Sequence, residues 1–434
     1  MSDTRRLVQA PADPANLVIE NVRILDPVNG IDTVGDLVVR DGRIGGSPDG
    51  LERIDGAGKV AVPGFVDPHV HLRTPGKEDC EDIASGSRAA AAGGFVTIIA
   101  MPNTQPVTDG VSIVGSLIEQ AERQAAVRVG FFAAITMGQE GTTLTEQGEL
   151  TDLGVCGFSD DGRPVESAEV MRRALQYQRI TNLPLVLHEE DMSLSGAGVM
   201  HEGEVSTRLG LAGIPGISES IQVARDAELA LYEGGRIHIC HVSATETVAV
   251  VRRAKQAGVR ITAEVTPHHL LLTDERVADL DAARNKMNPP LRAEADRQVL
   301  IEALIDGTLD CIATDHAPHR SHEKERTFEE APFGVTGLET AFASCYTHLV
   351  KPGILSLELL VRRMGADAAA AVDLPGPSLT EGSIADVALI DLDATTVVGA
   401  NGFQSKSTNS AFLGEELSGV VDLTIAGGQV AWRK

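Results

Sequence analysis

The chain has 434 residues, 43% of them apolar and 23% charged, enough for one large domain with a smaller one beside it. No apolar run approaches the roughly 18–20 residues that a bilayer requires, and a formal net charge of −25 argues against nucleic acid or an anionic membrane as partner. An anionic ligand would have to be drawn in locally, by metal ions and a few arginines.

The N-terminus, Met1-Ser-Asp-Thr-Arg-Arg6, lacks the apolar region of a signal peptide, so a cytoplasmic location is expected. Residues 16–59 read as short strands separated by Gly/Asp turns. From 60 to 320 a strand-then-helix alternation repeats. Strands are expected over 60–66, 96–101, 128–135, 155–158, 184–187, 236–240, 260–265 and 310–313. Helices are expected over 84–92, 111–124, 166–179, 219–232, 244–256 and 294–305. Eight strands alternating with helices predict a (β/α)8 TIM-like barrel. A doubly wound open sheet is the alternative, but no Gly-x-Gly-x-x-Gly turn follows the first strand. Residues 382–434 return to short strands and Gly turns. Neither terminal segment can form a core alone, so the two are expected to pair into one small β-sandwich. The expected division is therefore 1–59 and 371–434 for the sandwich and 60–370 for the barrel. The five cysteines (Cys80, Cys156, Cys240, Cys311, Cys345) are widely spaced, contain no Cys-x-x-Cys, and read as small core residues in a reducing compartment.

Polar groups follow the apolar core of nearly every strand: His69 and His71, Asn103, Asp161, His188, His241, His268 and Asp315. Barrel enzymes carry their chemistry at the C-terminal ends of the strands, and a ring of such groups is what one shared central site needs. A lone histidine among twelve is more often a core or surface residue than a ligand. Here His69, His71, His188 and His241, with Asp161 and Asp315, occupy equivalent strand-end positions. Six nitrogen and oxygen donors so placed suit two zinc-like ions around a bridging hydroxide. Two such ions need a bridging anion, and no lysine lies between Lys77 and Lys255 to supply a carbamate. In Gly157-Phe-Ser-Asp-Asp-Gly162 only one carboxylate can face inward; Asp161 is favoured, with Asp160 a turn or cap carboxylate or a support to its neighbour.

Asp315, in Ala313-Thr-Asp-His-Ala-Pro-His319, stands where a carboxylate can take a proton from the attacking oxygen and return it to a leaving nitrogen; its alternative is a helix cap or turn residue. Arg73 lies two residues past His71, where a guanidinium beside cations calls for a substrate carboxylate. Asn103, in Met101-Pro-Asn-Thr104, offers a donor and an acceptor to the same anion, or simply forms the turn before Pro106. Asn288, in Lys286-Met-Asn-Pro-Pro-Leu-Arg292, could fix an amide edge. Pro332-Phe-Gly-Val-Thr-Gly337 reads as a loop able to close over a site. The acidic tract from Ser321 to Glu330 carries no legible role.

In combination, Asp67-Pro-His-Val-His-Leu-Arg-Thr-Pro-Gly76, Met101-Pro-Asn-Thr104, Phe158-Ser-Asp-Asp-Gly162, Cys240-His-Val-Ser243, Glu264-Val-Thr-Pro-His-His269, Asn288-Pro-Pro-Leu-Arg292, Ala313-Thr-Asp-His-Ala-Pro-His319 and Phe333-Gly334 are specific. Through them the chain resembles the class I bacterial dihydroorotases of the amidohydrolase superfamily over essentially its whole length. The resemblance implies reversible cyclisation of N-carbamoyl-L-aspartate to L-dihydroorotate, a step of pyrimidine (UMP) biosynthesis. It implies one zinc on His69, His71 and Asp315, a second on His188 and His241, and Asp161 bridging. It implies that His71, Arg73, Asn103, Asn288, His319, Phe333 and Gly334 contact substrate, with Asp315 as acid/base. A homodimer, or a complex with aspartate transcarbamoylase, is the expected assembly.

Two alternatives stay open. A hydantoinase, dihydropyrimidinase or allantoinase would typically bridge its metals with a modified lysine and lack the Arg73 and Asn103 clamp. A non-catalytic scaffold for aspartate transcarbamoylase would be expected to have lost ligands, whereas all six are present.

Overall fold

The computed structural model describes residues 5–278 and 282–434. Eight parallel strands follow one another in sequence order: Phe65–Val70, Phe95–Ala100, Arg128–Ala133, Gly157–Phe158, Leu185–Leu187, Arg236–Ile239, Arg260–Val265 and Cys311–Ile312. The residues just past the last strand meet the first strand. There Val70 bridges His316 in parallel, and the His71 amide donates to the His316 carbonyl at 2.9 Å. Asp67 stitches the same seam, its carboxylate accepting from the Thr314 hydroxyl at 2.6 Å and the Thr314 amide at 3.2 Å. The architecture is the expected (β/α)8 barrel, and the open-sheet alternative is excluded.

Alternation along the strands divides two apolar layers. Ile98 packs outward against the helices, whereas Ile99, Phe132, Cys156, Val186, Cys240 and Cys311 fill the barrel interior. Burying each large aliphatic or aromatic side chain contributes about 1.5–3 kcal/mol. The alanine-rich helix Ala366–Ala371 joins this interior cluster beside Val66, Cys156 and Cys311, which lie at or near the starts of their strands. That leaves the strand C-termini free for chemistry. All five cysteines are buried and no disulfide joins them, as expected of core residues.

The two terminal segments build a second, eight-stranded sheet. Its order is Gln429–Arg433, Glu416–Ala426, Val387–Val397, Val60–Pro63, Leu17–Asp26, Ile31–Arg40 and Arg43–Ile44, with Glu52–Asp55 on Leu17–Asp26. Both halves share one core: Leu17, Ile19, Leu37 and Val39 pack with Val387, Leu389, Leu423 and Ile425. On the opposite face of the same strand, Ala388 and Ile390 join the barrel's outer core, so strand alternation glues the sheet to the barrel.

One strand assignment needs correction. The apolar run 60–66, read as the first barrel strand, is divided between two sheets. Val60–Pro63 pairs with Val387–Val397 and Leu17–Asp26, and only from Phe65 onward does the chain enter the barrel. Gly64 makes the crossing, its amide donating to the Asp386 carbonyl at 2.9 Å. A Cβ there would sit 2.2 Å from Val96 Cγ1, so only glycine lets the chain pass this close. Both pieces are buried on both faces, which is why they read as one strand.

Among the described residues, no helix is long and apolar enough to cross a membrane.

Candidate metal centre and substrate pocket

Six side chains from five strand ends converge. His69 is the penultimate residue of the first strand, and His71 follows that strand's end; Asp161, His188, His241 and Asp315 lie one to three residues past the fourth, fifth, sixth and eighth strands. His69 Nε2 lies 3.5 Å from both Asp161 Oδ1 and Asp315 Oδ1. His71 Nε2 lies 3.0 Å from Asp315 Oδ1 and 3.6 Å from Asp161 Oδ2. His188 Nδ1 and His241 Nε2 are 3.0 Å apart, and each is 3.8 Å from Asp161 Oδ1. The donors fall into two trios, His69–His71–Asp315 and Asp161–His188–His241, all buried.

The partners of these rings set which nitrogen faces inward. Glu264 can only accept, so its 2.6 Å contact places the His69 proton on Nδ1 and leaves Nε2 bare. Asn103 Nδ2 donates to Asp161 Oδ2 at 2.9 Å, which turns its Oδ1 toward His71 Nδ1, also at 2.9 Å. His71 Nε2 is therefore bare as well. His188 donates Nε2–H to Glu190 at 3.3 Å, so its Nδ1 faces the cluster as an acceptor. His69 Nε2 and Asp161 Oδ1 are buried with no hydrogen-bond partner. Unpaired buried acceptors facing one another are costly unless a cation lies among them. The donor set is hard-to-borderline nitrogen and oxygen, which fits zinc-like ions.

Cys240 is a competing donor, its sulfur grouping with His69 and Asp161. Burial pushes its thiol well above the ordinary range, so it stays protonated and a poor ligand. Burial opposes ionisation of Asp161 and Asp315, but the surrounding imidazoles hold both carboxyls below the usual range.

Three site residues have left-handed backbone: Arg73 (φ 56°), His241 (φ 33°) and Asp315 (φ 47°). Such conformations cost about 1–3 kcal/mol each in residues other than glycine and concentrate at functional sites. Here they turn side chains from the strand ends into the barrel mouth.

Above the cluster lies a cavity of about 220 Å³ lined by His71, Arg73, Asn103, Asp161, His188, His241, Asn288, Asp315, His319, Phe333 and Gly334. Every expected site residue except the deeper His69 lines it. It shares Arg73, Asn103, Asp161 and Gly162 with an adjoining cavity of about 550 Å³, whose wall adds Lys77 and Arg163. In a chain of net charge −25 this is a locally basic entrance.

Arg73 donates Nε–H to the Pro318 carbonyl at 3.1 Å. Among the described residues it has no carboxylate within ion-pair distance, and burial pushes its pKa down. An anion in the cavity would relieve it. Asn103 differs from expectation: its oxygen and one N–H are engaged by His71 and Asp161, leaving a single N–H for a ligand. Asn288 donates to Glu190 at 2.8 Å, linking the pocket wall to His188. His319 donates Nε2–H to the Phe333 carbonyl at 2.7 Å, and burial beside Arg73 and Lys324 holds it neutral, its pKa pushed down to about 2. Gly334 has φ 124°, and a Cβ there would meet Ala317 Cβ at 2.7 Å and His319 Nε2 at 2.9 Å. Glycine is required there.

Asp160 faces away from the cluster. Its carboxylate accepts from the Ile135 amide at 2.8 Å and the Thr136 amide at 3.1 Å, tying the third and fourth strand ends together.

Sequence reasoning missed several supporting groups. Glu264 and His238 are fully buried in the seventh and sixth strands, with Glu264 bonded to both His69 and His238. Their signal was present: each is a polar residue with an apolar neighbour on either side within a barrel strand, His238 between Ile237 and Ile239 and Glu264 between Ala263 and Val265. The acidic tract hides Lys324, whose ammonium donates to the carbonyls of Ala283, Lys286 and Pro332. It pins the loop that carries Phe333 and Gly334.

The "Dihydro-orotase-like" family description matches residues 58–247. A protein named dihydroorotase from Geobacter metallireducens is 45% identical over 96% of this chain and all of its own length. One from a Geobacillus species is 47% identical, covering 88% of this chain and 90% of its own. Among solved structures, L-hydantoinase (dihydropyrimidinase) from Arthrobacter aurescens superposes with a TM-score of 0.84 at 27% identity, covering 97% of this chain and 96% of its own. A D-hydantoinase superposes at 0.82 and 26% identity, over 96% and 95% of the two chains.

Proposed function

The chain belongs to the dihydroorotase family, and on that premise we propose that it interconverts L-dihydroorotate and N-carbamoyl-L-aspartate with two zinc ions in the His/Asp cluster. His69, His71 and Asp315 would hold one ion and His188 and His241 the other, with Asp161 between them. When bound, the ions supply an activated water and Lewis acidity toward the ring amide.

The remaining work falls to side chains of this protein. Arg73 receives the substrate carboxylate in its guanidinium fork, the partner its buried charge lacks. The free Asn103 N–H and the Phe333 and Gly334 backbone hold the ring edge. Asp315 takes the proton of the attacking water and returns it to the ring nitrogen as the amide bond breaks; in the closing direction it runs the same transfers backward. Neutral His319 and the loop above it keep bulk water from the reacting carbonyl. Glu264 fixes the His69 ring so that Nε2 faces inward.

One observation supports this reading over a hydantoinase: a carboxylate, Asp161, lies 3.5–3.8 Å from His69, His188 and His241, within reach of both histidine pairs, and among the described residues Arg73 in the same cavity has no ion-pair partner. The test is turnover by the zinc-loaded protein on L-dihydroorotate, dihydrouracil, hydantoin and allantoin. Dihydrouracil is the same ring without the carboxylate. A site built to pair a polar group discriminates against an analogue lacking it by about 10⁴-fold or more. We expect dihydroorotate to be preferred by that order; comparable kcat/KM for dihydrouracil or hydantoin would reject the reading.

Glu264→Gln is expected to weaken metal retention by about 10–100-fold, measured by chelator competition, because removing a ligand's outer partner costs that much. Unchanged retention would remove Glu264 from the account.

A further inference from the structure

Asn409 lies in the C-terminal segment, about 90 residues along the chain from the last strand-end loop, yet it is buried at the barrel mouth. Its side chain is fully spent between two pocket loops. Oδ1 accepts from the His319 amide at 3.2 Å, while Nδ2 donates to the Ala317 carbonyl at 3.3 Å and to the Gly334 carbonyl at 3.2 Å. Its own carbonyl accepts from the Thr336 amide at 3.2 Å. One amide group therefore spans the gap between the loop after the eighth strand and the loop bearing Gly334.

The segment around Asn409 is anchored independently. The amides of Gln404 and Ser405 bind the Glu339 carboxylate at 2.9–3.0 Å, and the Ser407 hydroxyl donates to the Cys80 carbonyl at 2.8 Å. Ser410 bridges Thr336 in parallel. Asn409 is thus held from behind while it grips both loops in front. Those loops carry His319, Gly334 and the Pro318 carbonyl that aims Arg73.

We infer that Asn409 is a positioning residue for substrate recognition: it sets the spacing between the Ala317–His319 turn and Gly334, and through Pro318 the aim of Arg73. It touches no metal ligand side chain. Its loss should loosen the anion-binding wall and leave the metal cluster intact. No other residue type reproduces the pattern. Aspartate keeps the acceptor for the His319 amide but turns a carboxylate toward two carbonyl oxygens; serine is too short to span them.

This inference rests on the dihydroorotase reading. The experiment compares wild type, Asn409→Ser and Asn409→Asp by zinc content, thermal unfolding, and kcat and KM for L-dihydroorotate. We expect unchanged zinc content, KM raised at least tenfold in both variants, and kcat lowered less than threefold. KM within threefold of wild type, loss of zinc, or failure of both variants to fold would overturn it, the last by assigning Asn409 to folding alone. A wild-type protein that binds zinc but does not turn over dihydroorotate would instead overturn the functional reading, and this inference with it.

Discussion

Asp315→Asn is expected to lower kcat for dihydroorotate by about 10³–10⁴-fold, the upper range for losing a positioned acid/base. Asparagine fills the same space and keeps an oxygen toward His71, 3.0 Å away in the native protein, but it cannot carry the proton. Four histidines and Asp161 remain, so metal content should stay close to wild type while turnover disappears. The contrast matters more than the loss. If metal and activity vanish together, Asp315 acts as a ligand alone. If activity stays within tenfold of wild type, the proton is carried elsewhere.

Arg73→Met is expected to raise KM by roughly 10²–10³-fold, from the loss of a charge-assisted pair worth about 3–4 kcal/mol in a buried site. The kcat at saturation should fall far less, because in the proposed mechanism Arg73 binds the substrate carboxylate and does not touch the reacting carbonyl. Stability supplies an independent check. Arg73 has left-handed backbone and no ion-pair partner among the described residues, so its guanidinium destabilises the unliganded fold. The methionine variant should therefore unfold at the same temperature as wild type or higher. A lowered melting temperature with unchanged KM would mean that Arg73 serves the fold and not the substrate.

Much of this site was legible because a barrel writes its chemistry in a regular place. The barrel strands are short and buried, and five of them bring polar side chains at or within three residues of their C-terminal ends into one mouth, so His69, His71, Asp161, His188, His241 and Asp315 could be found by position. The strand between residues 60 and 70 was harder. Val60–Pro63 and Phe65–Val70 are both buried on both faces, and nothing in their residue types tells which sheet each joins. Only the close approach at Gly64 divides them. Glu264 and His238 were legible as misfits, a carboxylate and an imidazole each flanked by apolar residues within a strand, but their pairing is a cross-strand fact. For Asn103 the sequence predicts both a donor and an acceptor for substrate, whereas its oxygen and one N–H align His71 and Asp161 and one N–H is left over. Asn409 could not be found at all. Its partners lie 75 to 92 residues away, and a lone asparagine in a loop carries no periodic signal.

The most direct test of the central claim is zinc stoichiometry of the purified chain, measured together with turnover before and after chelation. Two zinc ions per chain are expected, with loss of turnover on their removal and recovery when zinc returns. One ion per chain is expected for His188→Ala combined with His241→Ala. Full turnover in protein stripped to trace metal, or two ions retained without those histidines, would contradict the claim.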